Sequence, residues 1–149
     1  METSLWTDYL ALLTSLSGTL EKLTGIERRK TDAVCQGNLL VVEDCMKQEQ
    51  VMSLSLRSLE QKRTNLLSQL GLSHVPLREL EKHSPPEYDL ETKKVVEELR
   101  RQYTLFQTAS QVARDTLECN LREIQRIQEQ NQSAPSTPDE LPRQTDFRV

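Results

Sequence analysis

At 149 residues, with 28% charged, 36% hydrophobic and only 4% aromatic side chains, the chain has the length of one domain and the composition of long helices with solvated outer faces. A formal charge of −4 disfavours a nucleic-acid or anionic-membrane partner. No stretch approaches the roughly 18 apolar residues of a membrane span, and Met1-Glu2-Thr3-Ser4 puts an acid where a signal peptide carries positive charge, so the expected location is the cytoplasm.

A first helix is expected over 4–35, capped by Thr3 or Ser4, with an inward stripe of Tyr9, Leu13, Leu16, Leu20 and Leu23 that continues through Lys30 and Val34. Ala11, Gly18 and Gly25 recur every seven residues on the opposite side. They read either as a soft, exposed helix back or as a small-residue track for the close approach of another helix. Each glycine costs about 1 kcal/mol relative to Ala in a helix interior. Gly37-Asn38 supplies a helix C′ residue followed by a new N-cap. A short connection of this kind makes the flanking helices antiparallel neighbours.

The second helix, expected over 39–70 and ended by Gly71, carries the clearest pattern in the chain. Val42, Cys45, Glu49, Met52, Leu56, Leu59, Arg63, Leu66 and Leu70 alternate in steps of three and four, which is the seam of a helix packed lengthwise on another. Glu49 and Arg63 interrupt the apolar run, and polar groups at such positions fix register.

Residues 71–84 form a connector in which Pro76 can open a short helix holding Leu77 and Leu80. His74 and His83 have no partner at metal-binding or acid–base spacing and are expected to face solvent. Ser84-Pro85-Pro86-Glu87 has the form of a capping box with proline at the first helical position, which predicts a third helix over 86–130. Its stripe reads Val96, Leu99, Tyr103, Phe106, Ser110, Ala113 and Leu117, continuing through Leu121, Ile124 and Ile127. From Gln132 onward Ser133, Pro135, Ser136, Pro138 and Pro142 mark a disordered tail. The fold class is therefore all-α, an elongated antiparallel bundle of three long helices with a short connector helix, over residues 1–131, followed by the tail at 132–149.

Little in this sequence carries catalytic or metal chemistry. Cys35, Cys45 and Cys119 are odd in number and form no CxxC pair, so they read as reduced core or near-core thiols. The basic clusters Arg28-Arg29-Lys30, Lys93-Lys94 and Arg100-Arg101 lie beside acids and read as solvated faces. Neither a nucleophile beside a base nor a phosphate-cradling glycine loop is present. No enzyme activity and no cofactor is expected. If the third helix runs back along the first hairpin, about a dozen residues project past Gly37-Asn38, or ~18 Å of helix. Contiguous apolar surface on such a projection marks a partner site, and Leu117, Leu121, Ile124 and Ile127 are its candidate residues.

The first hairpin resembles the FlgN-type flagellar export chaperones. The matching residues are Lys30, Ala33-Val34, Gly37-Asn38-Leu39, Glu49-Gln50, Leu59-Glu60, Lys62-Arg63 and Leu66-Leu67, closing with Leu70-Gly71. The resemblance extends over roughly residues 5 to 130. It departs from the family in the middle of the third helix, where Gln107, Ser110 and Gln111 stand in place of a usual Asn. The resemblance implies a cytosolic chaperone for hook–filament junction proteins of the FlgK and FlgL type. Such a chaperone binds their helical terminal segments, prevents premature assembly and delivers them to the type III export gate. On this reading the client helix lies on Leu117, Leu121, Ile124 and Ile127, and Leu141 and Phe147 either dock the export machinery or belong to an inert solubilising tail. The alternative is a structural coiled-coil or spectrin-like scaffold without chaperone activity.

Overall fold

The computed structural model describes residues 2–133; the third helix runs through 132 and 133, where the tail was expected to begin, and the rest of the expected tail, with Leu141 and Phe147, lies outside the described residues. Three long helices dominate: α1 (Glu2–Gln36), α2 (Leu39–Gln69) and α3 (Asp89–Ser133). Two short 3-10 turns, Leu77–His83 and Pro86–Tyr88, link α2 to α3, and no strand occurs among the described residues. The expected all-α bundle is the observed one. Helix α1 starts before Thr3 and Ser4, so neither residue caps it.

The α1–α2 turn forms as its sequence dictates. Gly37 adopts φ +71°, the left-handed conformation that glycine reaches without a Cβ clash. Its N–H donates to the Val34 carbonyl at 3.1 Å and the Asn38 N–H to the Ala33 carbonyl at 2.9 Å, satisfying the last acceptors of α1. Asn38 then caps α2 by accepting from the Val41 N–H at 3.3 Å. The same device ends α2, with Gly71 at φ +74° and the Leu72 N–H donating to the Leu67 carbonyl at 2.9 Å. The start of α3 differs from expectation. Ser84 does not form a capping box; its hydroxyl pairs with the Glu81 carbonyl and the Asp89 carboxylate at 2.9 and 2.5 Å. The two prolines are followed by a single 3-10 turn, and the α-helix begins at Asp89 instead of 86.

Helix α1 packs on both α2 and α3, whereas no Cα of α2 lies within 8 Å of one of α3. One apolar cluster joins Trp6, Tyr9, Leu10, Leu13, Leu16 and Leu20 of α1 to Leu67, Val96 and Leu99. Leu80 from the connector is fully buried in it and closes the base of the bundle. A second, smaller cluster of Ala33, Val34 and Val42 lies at the α1–α2 turn, with Leu117 of α3 packed against it. The α2 seam lies inward along its whole length, every one of its nine predicted positions being buried or half-buried. On α3 the expected stripe holds in part. Val96, Leu99 and Ala113 are buried and Phe106, Ser110 and Leu117 half-buried, while Tyr103 is exposed and Gln102 and Ala109 are buried beside the stripe. The buried Gln102 amide stays satisfied by donating to Glu98 Oε1 at 2.8 Å.

Both interruptions of the α2 seam meet polar partners on α1. Arg63 Nε donates to the Tyr9 hydroxyl at 3.2 Å, and Glu49 accepts from Lys30 at 2.7 Å. Across α1 and α3, Trp6 Nε1 donates to Thr92 Oγ1 at 2.9 Å inside the core. These cross-links between distant sequence positions pin the helix registers, because a one-residue slide would orphan a buried donor.

The glycines separate cleanly by role. A Cβ added at Gly18 or Gly25 meets nothing within 4 Å, and both positions are ordinary helix. No described helix approaches the small-residue track closely; Ala11 and Gly25 are exposed and Gly18 is half-buried. Gly18→Ala is expected to raise stability by about 0.5–1 kcal/mol. Gly37→Ala, forced into the left-handed region, is expected to lower it by about 1 kcal/mol or more. Thermal and urea unfolding of the two variants should shift in opposite directions.

Candidate functional site

The length difference between the helices sets the geometry of the partner site. Helix α3 has 45 residues against 35 in α1 and 31 in α2. It runs parallel to α1, with Thr92 level with Trp6 near the base and Leu117 level with Ala33 and Val34 near the turn. Beyond that point no residue of α3 belongs to either apolar cluster of the described residues, and every residue from 118 to 132 is exposed. This leaves roughly 22 Å of helix standing clear of the bundle at 1.5 Å per residue.

The four sequence-predicted client residues divide. Leu117 is half-buried against Ala33, Val34 and Val42 and belongs to the end of the core. Leu121, Ile124 and Ile127 are 57%, 46% and 47% exposed and, three residues apart, occupy one broad side of the projecting helix. Their neighbours are charged and pair among themselves, as in Arg126–Glu123 at 2.6 Å and Arg122–Glu118 at 3.7 Å. Surface pairs of this kind keep the helix soluble and add little stability.

Sequence reasoning overlooked Leu39 and Leu40. They open α2 at the same end of the molecule and are 74% and 79% exposed. The signal was present, since Leu39-Leu40-Val41-Val42 puts four consecutive apolar residues in the first turn of a helix. One helix face buries only part of such a run. The bundle end therefore presents two exposed leucines at the foot of an apolar-striped helix.

Between the two apolar clusters lies an ionic triad. Lys30 Nζ sits 3.2 Å from Glu27 Oε2 and 2.7 Å from Glu49 Oε1, in the α1–α2 interface. Lys30, read both in the inward stripe of the first helix and in a solvated basic cluster, is largely covered as the stripe places it, while Arg28 and Arg29 are exposed. Burial raises the Glu27 carboxyl above its ordinary 4.5, and the nearby Glu49 charge raises it further against the lowering effect of Lys30. Burial alone would pull the Lys30 ammonium down, but its hydrogen bond to Glu49 and the two carboxylate charges hold it above 10.5. The triad resembles a register lock more than a reaction centre, since its three charges compensate one another across the α1–α2 interface.

The remaining candidates are quickly placed. Cys45 is buried and its thiol is raised by burial, whereas Cys35 and Cys119 are exposed, contrary to their expected core or near-core positions. His74 and His83 are exposed as expected. Among the described residues no group of three or more His, Cys, Asp and Glu side chains could hold a metal ion, and no helix is long and apolar enough to cross a membrane. Compared with known protein families, characterised proteins and solved structures, the chain matches none of them.

The triad makes a signed prediction. Because the folded state raises the Glu27 carboxyl, its contribution to stability is fully present below about 4.5 and is lost as the pH rises through the folded value. Glu27→Gln should therefore flatten the stability profile just above pH 4.5 and cost little at pH 7. Lys30→Met strands two carboxylates without their cation and should cost about 2–3 kcal/mol at pH 7, partly recovered near pH 5. Urea titrations across that range measure both. A flat profile for the Lys30 variant would contradict the assignment.

Proposed function

We propose that this protein is a cytosolic export chaperone of the FlgN type, which holds the helical terminal segment of hook–filament junction proteins and prevents their premature assembly. The observation that carries the reading is the projecting end of α3, where Leu121, Ile124 and Ile127 stand exposed beyond the two apolar clusters of the described residues. A three-residue apolar stripe with Leu39 and Leu40 near its base is the kind of surface on which an amphipathic client helix docks by its apolar side. The resemblance of the first hairpin supports the same role; among the residues that carry it, Gly37 and Asn38 form the α1–α2 turn and Lys30 pairs with Glu49 at 2.7 Å. Client binding caps the free end of α3 and shields apolar surface of both proteins. The bundle supplies a rigid base, so the client pays little ordering entropy on the chaperone side.

Burying a Leu or Ile side chain contributes roughly 1.5–3 kcal/mol, so losing two weakens binding by a hundredfold or more. The test is the double variant Leu121→Ser with Ile124→Ser, titrated calorimetrically against the terminal segment of a junction protein of the FlgK or FlgL type. Affinity should collapse while the melting temperature stays close to wild type, because neither side chain contributes to the core. Unchanged affinity would remove the site, and a fall in the melting temperature would return the stripe to the bundle interior. A structural scaffold predicts instead that the wild-type chain self-associates through this stripe and that the same variant abolishes self-association without any client.

A further inference from the structure

A second surface, remote from the end of α3, combines features that the chaperone reading leaves unused. Between α1 and α2, on the outer side of the hairpin, runs an open groove of about 640 Å³. Its floor is Gly25, Ile26, Val51 and Met52, and its rim carries Lys22, Arg29 and Lys47. No Asp or Glu lines it, although the chain as a whole is acidic with a net charge of −4. Among the described residues the three rim cations enter no ion pair. Arg29 Nη2 donates to Gln48 Oε1 at 2.5 Å, and Gln48 in turn donates to Asp44 Oδ2 at 2.8 Å, so the nearby carboxylate is engaged by an amide rather than a cation.

Gly25 points to use of this groove by another helix. Its backbone is ordinary helix, and a Cβ there would meet nothing within 4 Å, so the fold itself does not require glycine. A glycine in that place leaves the groove floor without a side chain and allows a second backbone to approach closely. The rim spans Lys22 to Arg29, two helical turns or roughly 10 Å. Open along its length, the groove suits a helix laid across it better than an enclosed acyl chain. We propose that it receives an acidic amphipathic helix of a second protein. The apolar side of that helix rests on Ile26, Val51 and Met52, and its flanking carboxylates meet Lys22, Arg29 and Lys47. Charge complementarity selects the partner, because the same floor beneath three unpaired cations repels a basic helix. This surface is separate from the α3 stripe, and either can hold without the other.

The probe is a fluorescein-labelled amphipathic peptide of about four helical turns (roughly 14 residues), with a leucine stripe flanked by glutamates. Its control carries lysine at each glutamate position. Anisotropy titrations with the full chain should show binding of the acidic peptide only, weakening at least tenfold between about 50 mM and 0.5 M NaCl. Lys22→Glu with Lys47→Glu should reduce affinity at least tenfold, as should Gly25→Leu, which fills the floor from an exposed position. Circular dichroism melts establish that these surface variants remain folded. Leu121→Ser with Ile124→Ser should leave the affinity unchanged. Equal binding of both peptides, no binding of the acidic one, or indifference to the groove variants would overturn the proposal. So would a fluorescent fatty acid that binds in place of the peptide and is lost in the same variants.

Discussion

The double-sided burial of α1 is the constraint on which the rest of the structure depends. Its residues Trp6, Tyr9, Leu13, Leu16, Leu20 and Leu23 are buried, and it alone packs lengthwise on both other long helices. The backbones of α2 and α3 stay apart, so each is held in place through α1. Glu27 and Lys30, near its C-terminal end, continue that burial in polar form, their charges compensated by one another and by Glu49. An amphipathic helix with a single narrow stripe could not serve both neighbours at once.

Two consequences follow for function. Because α3 is ten residues longer than α1 and runs beside it from the base, its surplus length extends past the end of α1. The apolar residues beyond Leu117 are thereby separated from the stability of the core, which lets a binding surface vary without cost to folding. Because α2 lies on α1 without α3 closing over it, the outer side of the hairpin stays open as a groove. The same arrangement yields two surfaces of different chemistry, an apolar projection with self-paired charges and an apolar furrow edged by unpaired cations.

Much of this was legible in the sequence where a single residue type has one strong local preference. Gly37, Asn38 and Gly71 announced the helix ends, because left-handed backbone and side-chain capping are local effects. The α2 seam was legible for a similar reason, since a helix with one long neighbour writes its contact face directly into a period of three and four. The α3 stripe was legible in part: Val96, Leu99 and Ala113 are buried, but Tyr103 is exposed and Gln102 and Ala109 turn inward, which an apolar pattern could not show because one of the buried residues is polar and satisfied by Glu98. At the start of α3 the Ser84-to-Glu87 spacing satisfied a capping pattern, but two successive prolines favoured an extended entry and a 3-10 turn, moving the helix start to Asp89. Lys30 read both as a stripe position and as one of three surface cations, and its pairing with Glu49 was not legible, because that partner lies on another helix and sequence neighbours reveal only local pairing. In the candidate site, Leu121, Ile124 and Ile127 were recognisable from period and length together. Leu117 was drawn into the core by Val34 and Val42, contacts that depend on the tertiary offset of α3 against α1.

The central claim is that the free end of α3 is where a client helix docks. Hydrogen exchange read by mass spectrometry tests it most directly, since a helix without neighbours opens locally far more easily than one in the core. Amides of residues 118–132 should exchange rapidly in the isolated protein. They should gain protection on addition of a junction-protein terminal segment, while the peptides covering Trp6 to Leu20 remain unchanged. Protection that appears elsewhere on the bundle, or none over 118–132 under saturating segment, would contradict the account.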